Sequence, residues 1–279
     1  MDNVDNAVFY LKLDTSHQLK WFEDIFVELI EERAGQKVRE QEDSKTEYYQ
    51  QEFLKRYFES FISIKILYEG AMLEHNSRKY TISLLPAVMT LLRSCLENYA
   101  LYYYIYLNAS SHDETIFRFK CWWREGLIRR QAFQTNESQF LNKQGEEKKN
   151  IEKLLNEIKN TEFYHKLSKN EKNKLVNNGS WIFKSYKSLL QIAGFSEQTA
   201  ANIYGYFSSF AHTSSAGLMQ TAQADISVKK EMQEALIKPF LMATGSYLLH
   251  FSRSIESSVL KSKDLEFLSA WQMIMGMPM

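Results

Sequence analysis

The chain has 279 residues, with 34 basic and 34 acidic side chains, 18 Phe, 16 Tyr, 5 Trp, 10 Gly, 3 Pro and 2 Cys. This composition excludes a collagen, a disulfide scaffold and a disordered tail, and zero net charge gives no whole-molecule field that favours nucleic acid or an anionic membrane. The charge is unevenly placed: residues 1–59 hold 8 basic and 14 acidic side chains, whereas residues 78–190 hold 19 and 11.

Apolar residues recurring every three or four positions predict helices almost throughout. The first covers 17–33, with Leu19, Phe22, Ile25, Phe26, Leu29 and Ile30 on one face, and Ala34-Gly35 ends it. Residues 36–46 are charged and read as a linker. Two long helices follow, about 47–76 and 78–107, broken at Asn76-Ser77 and packed antiparallel, the second bent near Pro86. The apolar run from Ile82 to Leu107 is long enough to span a bilayer. Arg93, Glu97 and Asn98 at its centre instead point to a buried helix of a soluble protein.

An aromatic-rich helix is predicted over 113–134. Residues 143–174 hold 9 Lys and 6 Glu with sparse apolar positions, the pattern of a solvated helix or two; residues 136–177 are read as a charged peripheral excursion. Helices over 181–193 and 197–211, split at Gly194-Phe195-Ser196, precede a long one over 227–259 around Pro239 and a last short one over 264–275. The expected fold is all-α: a single-domain helical bundle over 1–279, its core drawn from 47–135 and 178–279.

Cys95 and Cys121 lie in apolar-aromatic stretches and form no CxxC, which fits a reducing cytoplasm. The polar N-terminus carries no signal-type apolar block. The acidic N-terminal part is expected to pair with the basic middle, within one chain or across a homodimer. The arginines of the 113–134 helix, Arg118, Arg124 and Arg129, are spread around it by steps of six and five. They are therefore expected to pair within the chain, with weak or no nucleic-acid binding.

No GxGxxG, Walker, HExxH or GxSxG sequence is present, so no cofactor is called for. A di-iron bundle needs two ExxH elements, and there is one, Glu162-Phe-Tyr-His165; no metal site is expected. The metal-independent ribonuclease fold of the HEPN type is marked by Arg-x4–6-His on one helix, and none of the six histidines has an arginine five, six or seven positions before it. That chemistry would require an Arg and a His from different helices to meet.

One constellation remains. Arg93 and Glu97 are four residues apart on the most apolar helix and leave the same face. Burial of either charge demands a partner. Far along the chain, Tyr204-Gly-Tyr-Phe-Ser-Ser-Phe-Ala-His212-Thr-Ser-Ser-Ala-Gly217 combines aromatics with small residues that permit close approach. Arg93-x3-Glu97 with Tyr204-x4-Ser209-x2-His212 resembles an uncharacterised bacterial all-helical family catalogued as a domain of unknown function. The resemblance spans roughly residues 77–217 and implies that Arg93, Glu97, Tyr204, Ser209 and His212 are the marked polar positions; it implies no reaction. Three uses stay open for them: a polar network holding helices in register, a ligand or nucleotide pocket, or nucleolytic catalysis. The expected role is a non-catalytic interaction or ligand-sensing module with a homodimer or protein partner, against a HEPN-like ribonuclease or toxin of a stress or phage-defence system.

Overall fold

The computed structural model describes residues 14–35, 45–68, 70–82, 84–134, 136–212, 214–223 and 226–257. The protein is all-α, with one small two-stranded sheet among the described residues. It forms two compact units, one drawn from residues 1–107 and 186–279 and the other from 108–185.

The first unit is built on aromatic packing. α1 (Thr15–Gly35) buries Leu19, Phe22, Phe26 and Leu29, the stripe its periodicity predicts. It lays Phe26 on Tyr57 and Phe61 of α2 (Lys45–Tyr68), with ring centroids 5.7 and 5.3 Å apart. α3 (Leu85–Tyr102) runs antiparallel to α2. Its late residue Asn98 donates to the Phe53 carbonyl at 3.2 Å, and Gln50, early in α2, donates to the Tyr102 hydroxyl at 3.1 Å.

The two long helices are shorter than the sequence pattern predicts. α2 stops at Tyr68, and a hairpin of β1 (Ala71–His75) and β2 (Arg78–Ile82) replaces the predicted helical break. Gly70 leaves the helix at φ +80°. Asn76 and Ser77 take φ 48° and 60°, the paired left-handed geometry that a tight hairpin demands. Pro86 does not bend a helix; it occupies the first turn of α3, where its missing N–H is no loss. Past Tyr102 the chain widens into one π-helical turn, Tyr103–Leu107.

The second unit starts at Asn108. Ser111 caps α4 (His112–Gln131) by accepting from the Glu114 amide at 3.2 Å. α4 packs against α5 (Ser138–Lys159), joined by ion pairs from Lys120 to Glu157 (2.8 Å) and from Arg130 to Glu147 (2.6 Å). α6 (Glu162–Lys166) and α7 (Lys169–Asn178) complete the predicted Lys/Glu-rich stretch. α7 starts in a Ser168/Glu171 capping box and ends at Gly179 in the left-handed region. Arg124, buried on α4, donates to the Leu175 and Val176 carbonyls in the last turn of α7 at 2.7 and 3.2 Å.

Back in the first unit, α8 (Tyr186–Ile192) is shorter than the predicted 181–193 helix. Trp181 lies outside it and donates its indole N–H to Glu125 at 2.9 Å within the second unit. α9 (Glu197–Ala211) has the predicted limits, with Ser196 as the expected cap accepting from the Thr199 amide. α10 (Ser215–Gln223) and α11 (Ile226–Ser254) follow, α11 continuing through Pro239. The predicted helix at 264–275 and most of the 36–46 linker lie outside the described residues. Among the described residues no helix is long and apolar enough to cross a membrane.

Candidate functional site

Three helices of the first unit supply the site. Arg93 and Glu97 stand one turn apart on α3, which turns Val88, Met89, Leu92, Cys95 and Leu96 inward. The charged pair therefore sits at the edge of the apolar face, and its side chains keep 19% and 26% exposure. Full burial, the reading that the surrounding apolar sequence favours, is corrected by that edge position.

Arg93 is the hub. Its Nε donates to Glu97 Oε1 at 2.8 Å, its Nη2 to the Tyr204 hydroxyl at 3.2 Å, and its Nη1 lies 2.8 Å from His212 Nε2. Tyr204 in turn donates to Glu97 Oε1 at 3.0 Å, closing the triangle. A guanidinium has no acceptor, so His212 Nε2 receives the bond and the imidazole is neutral, with its proton on Nδ1. Burial works against the charge on Arg93, but the hydrogen bond and Coulombic pull of Glu97, reinforced by Tyr204, outweigh it and hold the pKa above the ordinary arginine value. Burial, then the Glu97 carboxylate, raises the Tyr204 phenol.

His212 is exposed and ends α9, its amide bonded to the Ser208 carbonyl at 3.2 Å. Of the five predicted site residues, Ser209 alone keeps its side chain out of the network: the hydroxyl donates back to the Tyr206 carbonyl at 2.7 Å. Its backbone does more. The Ser209 carbonyl accepts from the Ser214 amide and hydroxyl at 3.0 and 2.9 Å. A Cβ added at Gly217 would come within 2.8 Å of the same oxygen. The run of small residues thus lets α10 fold back against the end of α9, and that fold-back sets the position of His212.

Sequence reasoning missed Tyr186, whose ring stacks on Tyr204 at 5.9 Å and 21°. Only its place near the start of a short helix marks it. A second tyrosine–histidine contact, Tyr99 with His250, lies in the same unit. The Tyr99 hydroxyl donates to the Ala193 carbonyl at 3.4 Å and lies 2.9 Å from His250 Nδ1, and burial lowers the histidine pKa to about 4. The lone ExxH falls on α6 of the second unit, where Glu162 pairs with Lys166. Among the described residues no three His, Cys, Asp or Glu side chains gather to hold a metal ion. Four of the basic side chains of α4 meet carboxylates within the second unit: Arg118 with Glu114, Lys120 with Glu157, Arg129 with Glu125 and Arg130 with Glu147. Arg124 spends its charge on helix carbonyls.

The sequence pattern of a family of unknown function, DUF5677, matches residues 14–227, a stretch that contains all five predicted site residues. The chain belongs to that family. The match reaches well ahead of the predicted resemblance, taking in α1 and α2 as well. No curated protein and no solved structure matches the chain. Within DUF5677, then, chemistry has to be argued from the site itself.

Proposed function

We propose that this DUF5677 protein is a non-catalytic, cytoplasmic ligand-sensing module whose recognition site is the partly exposed cluster of Arg93, Glu97, Tyr204 and His212. The observation that carries the reading is the 2.8 Å contact between Arg93 Nη1 and His212 Nε2. As long as the cluster is unliganded, the His212 lone pair accepts from a cation, so no free basic nitrogen is poised there to take a substrate proton. What is left to His212 is the Nδ1–H donor. Beside it, Glu97 Oε1 accepts two bonds and two guanidinium hydrogens are left over after the three bonds of Arg93. Such a mixed rim of donors and acceptors, with Tyr186 and Tyr204 stacked behind it, supports recognition of a small polar ligand. Two buried cysteines, with no disulfide, support a reducing compartment.

A thermal-shift screen of small anions, nucleotides and amino acids tests the reading. At least one compound should raise Tm in the wild type and not in Arg93→Gln; a screen with no responding compound would reject it.

A second reading, a HEPN-like ribonuclease, is favoured by one specific fact: an arginine and a histidine from different helices do meet. Expression of the wild type and His212→Ala side by side separates the two. Equal, healthy growth supports the module. Growth arrest by the wild type, relieved in His212→Ala, supports the nuclease.

A further inference from the structure

The unliganded cluster is electrically balanced. Arg93 is cationic, Glu97 is anionic and His212 is neutral, because its Nε2 must accept from the guanidinium. The ionisable groups of the described α8, α9 and α10 leave that sum unchanged. Tyr204 of α9 and Tyr186 of α8 are neutral phenols. Lys187 of α8 is paired with Glu197 of α9 at 3.8 Å. α10, which follows His212, has no charged residue in its sequence.

Resting on the ligand-sensing reading, we infer that Arg93 and His212, once parted from their 2.8 Å contact, hold between them a tetrahedral oxyanion of the sulfate and phosphate-monoester class, and that His212 takes up one proton as the anion binds. An oxyanion only accepts hydrogen bonds. Approaching the cluster as it stands, it would meet two spare guanidinium hydrogens, a lone pair on Nε2 and no net charge. Moving the imidazole proton from Nδ1 to Nε2 would supply a donor but leave the charge at zero. A proton from solvent on Nε2 removes the lone pair, adds a charge-assisted donor and makes the site cationic in one step. His212 is exposed on the turn between α9 and α10, so it can part from Arg93 without opening the core. No covalent bond changes; the solvent proton rests on Nε2 until the anion leaves. The site would therefore fill as pH falls.

Sulfate is the probe, because its own charge is constant between about pH 6 and pH 8 and any pH dependence belongs to the protein. Calorimetric titration of the full chain, in two buffers of different ionisation enthalpy, counts the protons. Affinity should weaken as pH rises, by up to about tenfold per pH unit, with close to one proton taken up per sulfate. His212→Gln should lose both binding and uptake. His212→Lys, a fixed cation, should bind with no pH dependence. Circular dichroism should show both variants folded, since the side chain they replace is exposed. Sulfate affinity equal at both pH values, binding that survives Arg93→Gln, or no binding at millimolar sulfate would each overturn the inference. The ligand-sensing reading is judged separately by its own screen.

Discussion

Tyr57 and Tyr247, from helices at opposite ends of the chain, stack with ring centroids 4.3 Å apart and planes 9° from parallel. Both rings are fully buried, yet their hydroxyls differ. Tyr57 donates to Thr244 Oγ1 at 3.0 Å, and Thr244 passes its own proton to the Phe240 carbonyl. Among the described residues the Tyr247 hydroxyl has no hydrogen-bond partner.

Two conservative substitutions should therefore part company. Tyr57→Phe removes a satisfied bond and should cost about 1 kcal/mol, whereas Tyr247→Phe removes an unsatisfied buried hydroxyl and should be neutral or stabilising by about 1 kcal/mol. Urea unfolding of the pair checks this; equal losses would contradict the hydrogen-bond assignment.

At the cluster, Glu97→Ala should destabilise by only about 1–2 kcal/mol, because Arg93 retains water at its exposed edge and two other partners. A loss beyond about 4 kcal/mol would mark the pair as a sealed core network.

His250 gives the fold an acid sensitivity. Its native pKa, about 4, lies below the ordinary 6.5 because burial penalises the charged ring. The unfolded chain thus protonates first on acidification. The stabilisation is complete above about pH 6.5 and is lost as pH falls towards 4, to a limit of about 3 kcal/mol. Denaturation midpoints across that interval should fall steeply in the wild type and less steeply in His250→Gln.

In the second unit, Arg124→Lys should lower stability by about 2 kcal/mol, since one ammonium cannot serve the two α7 carbonyls that the guanidinium fork reaches. Hydrogen exchange should quicken first at the C-terminal turn of α7.

The helices were legible wherever local signals agreed. The limits of α9 followed from Ser196 at one end and the small-residue run at the other, and the α1 stripe followed from its period. The hairpin was not, because Met72 and Tyr80 continue a helical pattern on paper, and only paired left-handed geometry at Asn76-Ser77 turns the chain. Arg93 and Glu97 could be paired from burial cost and spacing, and the family resemblance joined Tyr204 and His212 to them. The part taken by Ser209 could not be read, because it acts through its carbonyl, to which side-chain chemistry gives no clue. Tyr186 was hidden for a similar reason: stacking partners from separate helices leave no spacing in the sequence.

Gly217 offers a remote handle on the cluster. Its bare α-carbon is what lets α10 lie against the Ser209 carbonyl, and a methyl there, 2.8 Å from that oxygen, would have to pry the two segments apart. Gly217→Ala would leave every polar group of the site chemically intact while moving the turn that carries His212. A loss-of-response allele should therefore arise at a position that touches no ligand, and its signature would be an Arg93–Glu97–Tyr204 triangle preserved with the fourth corner displaced.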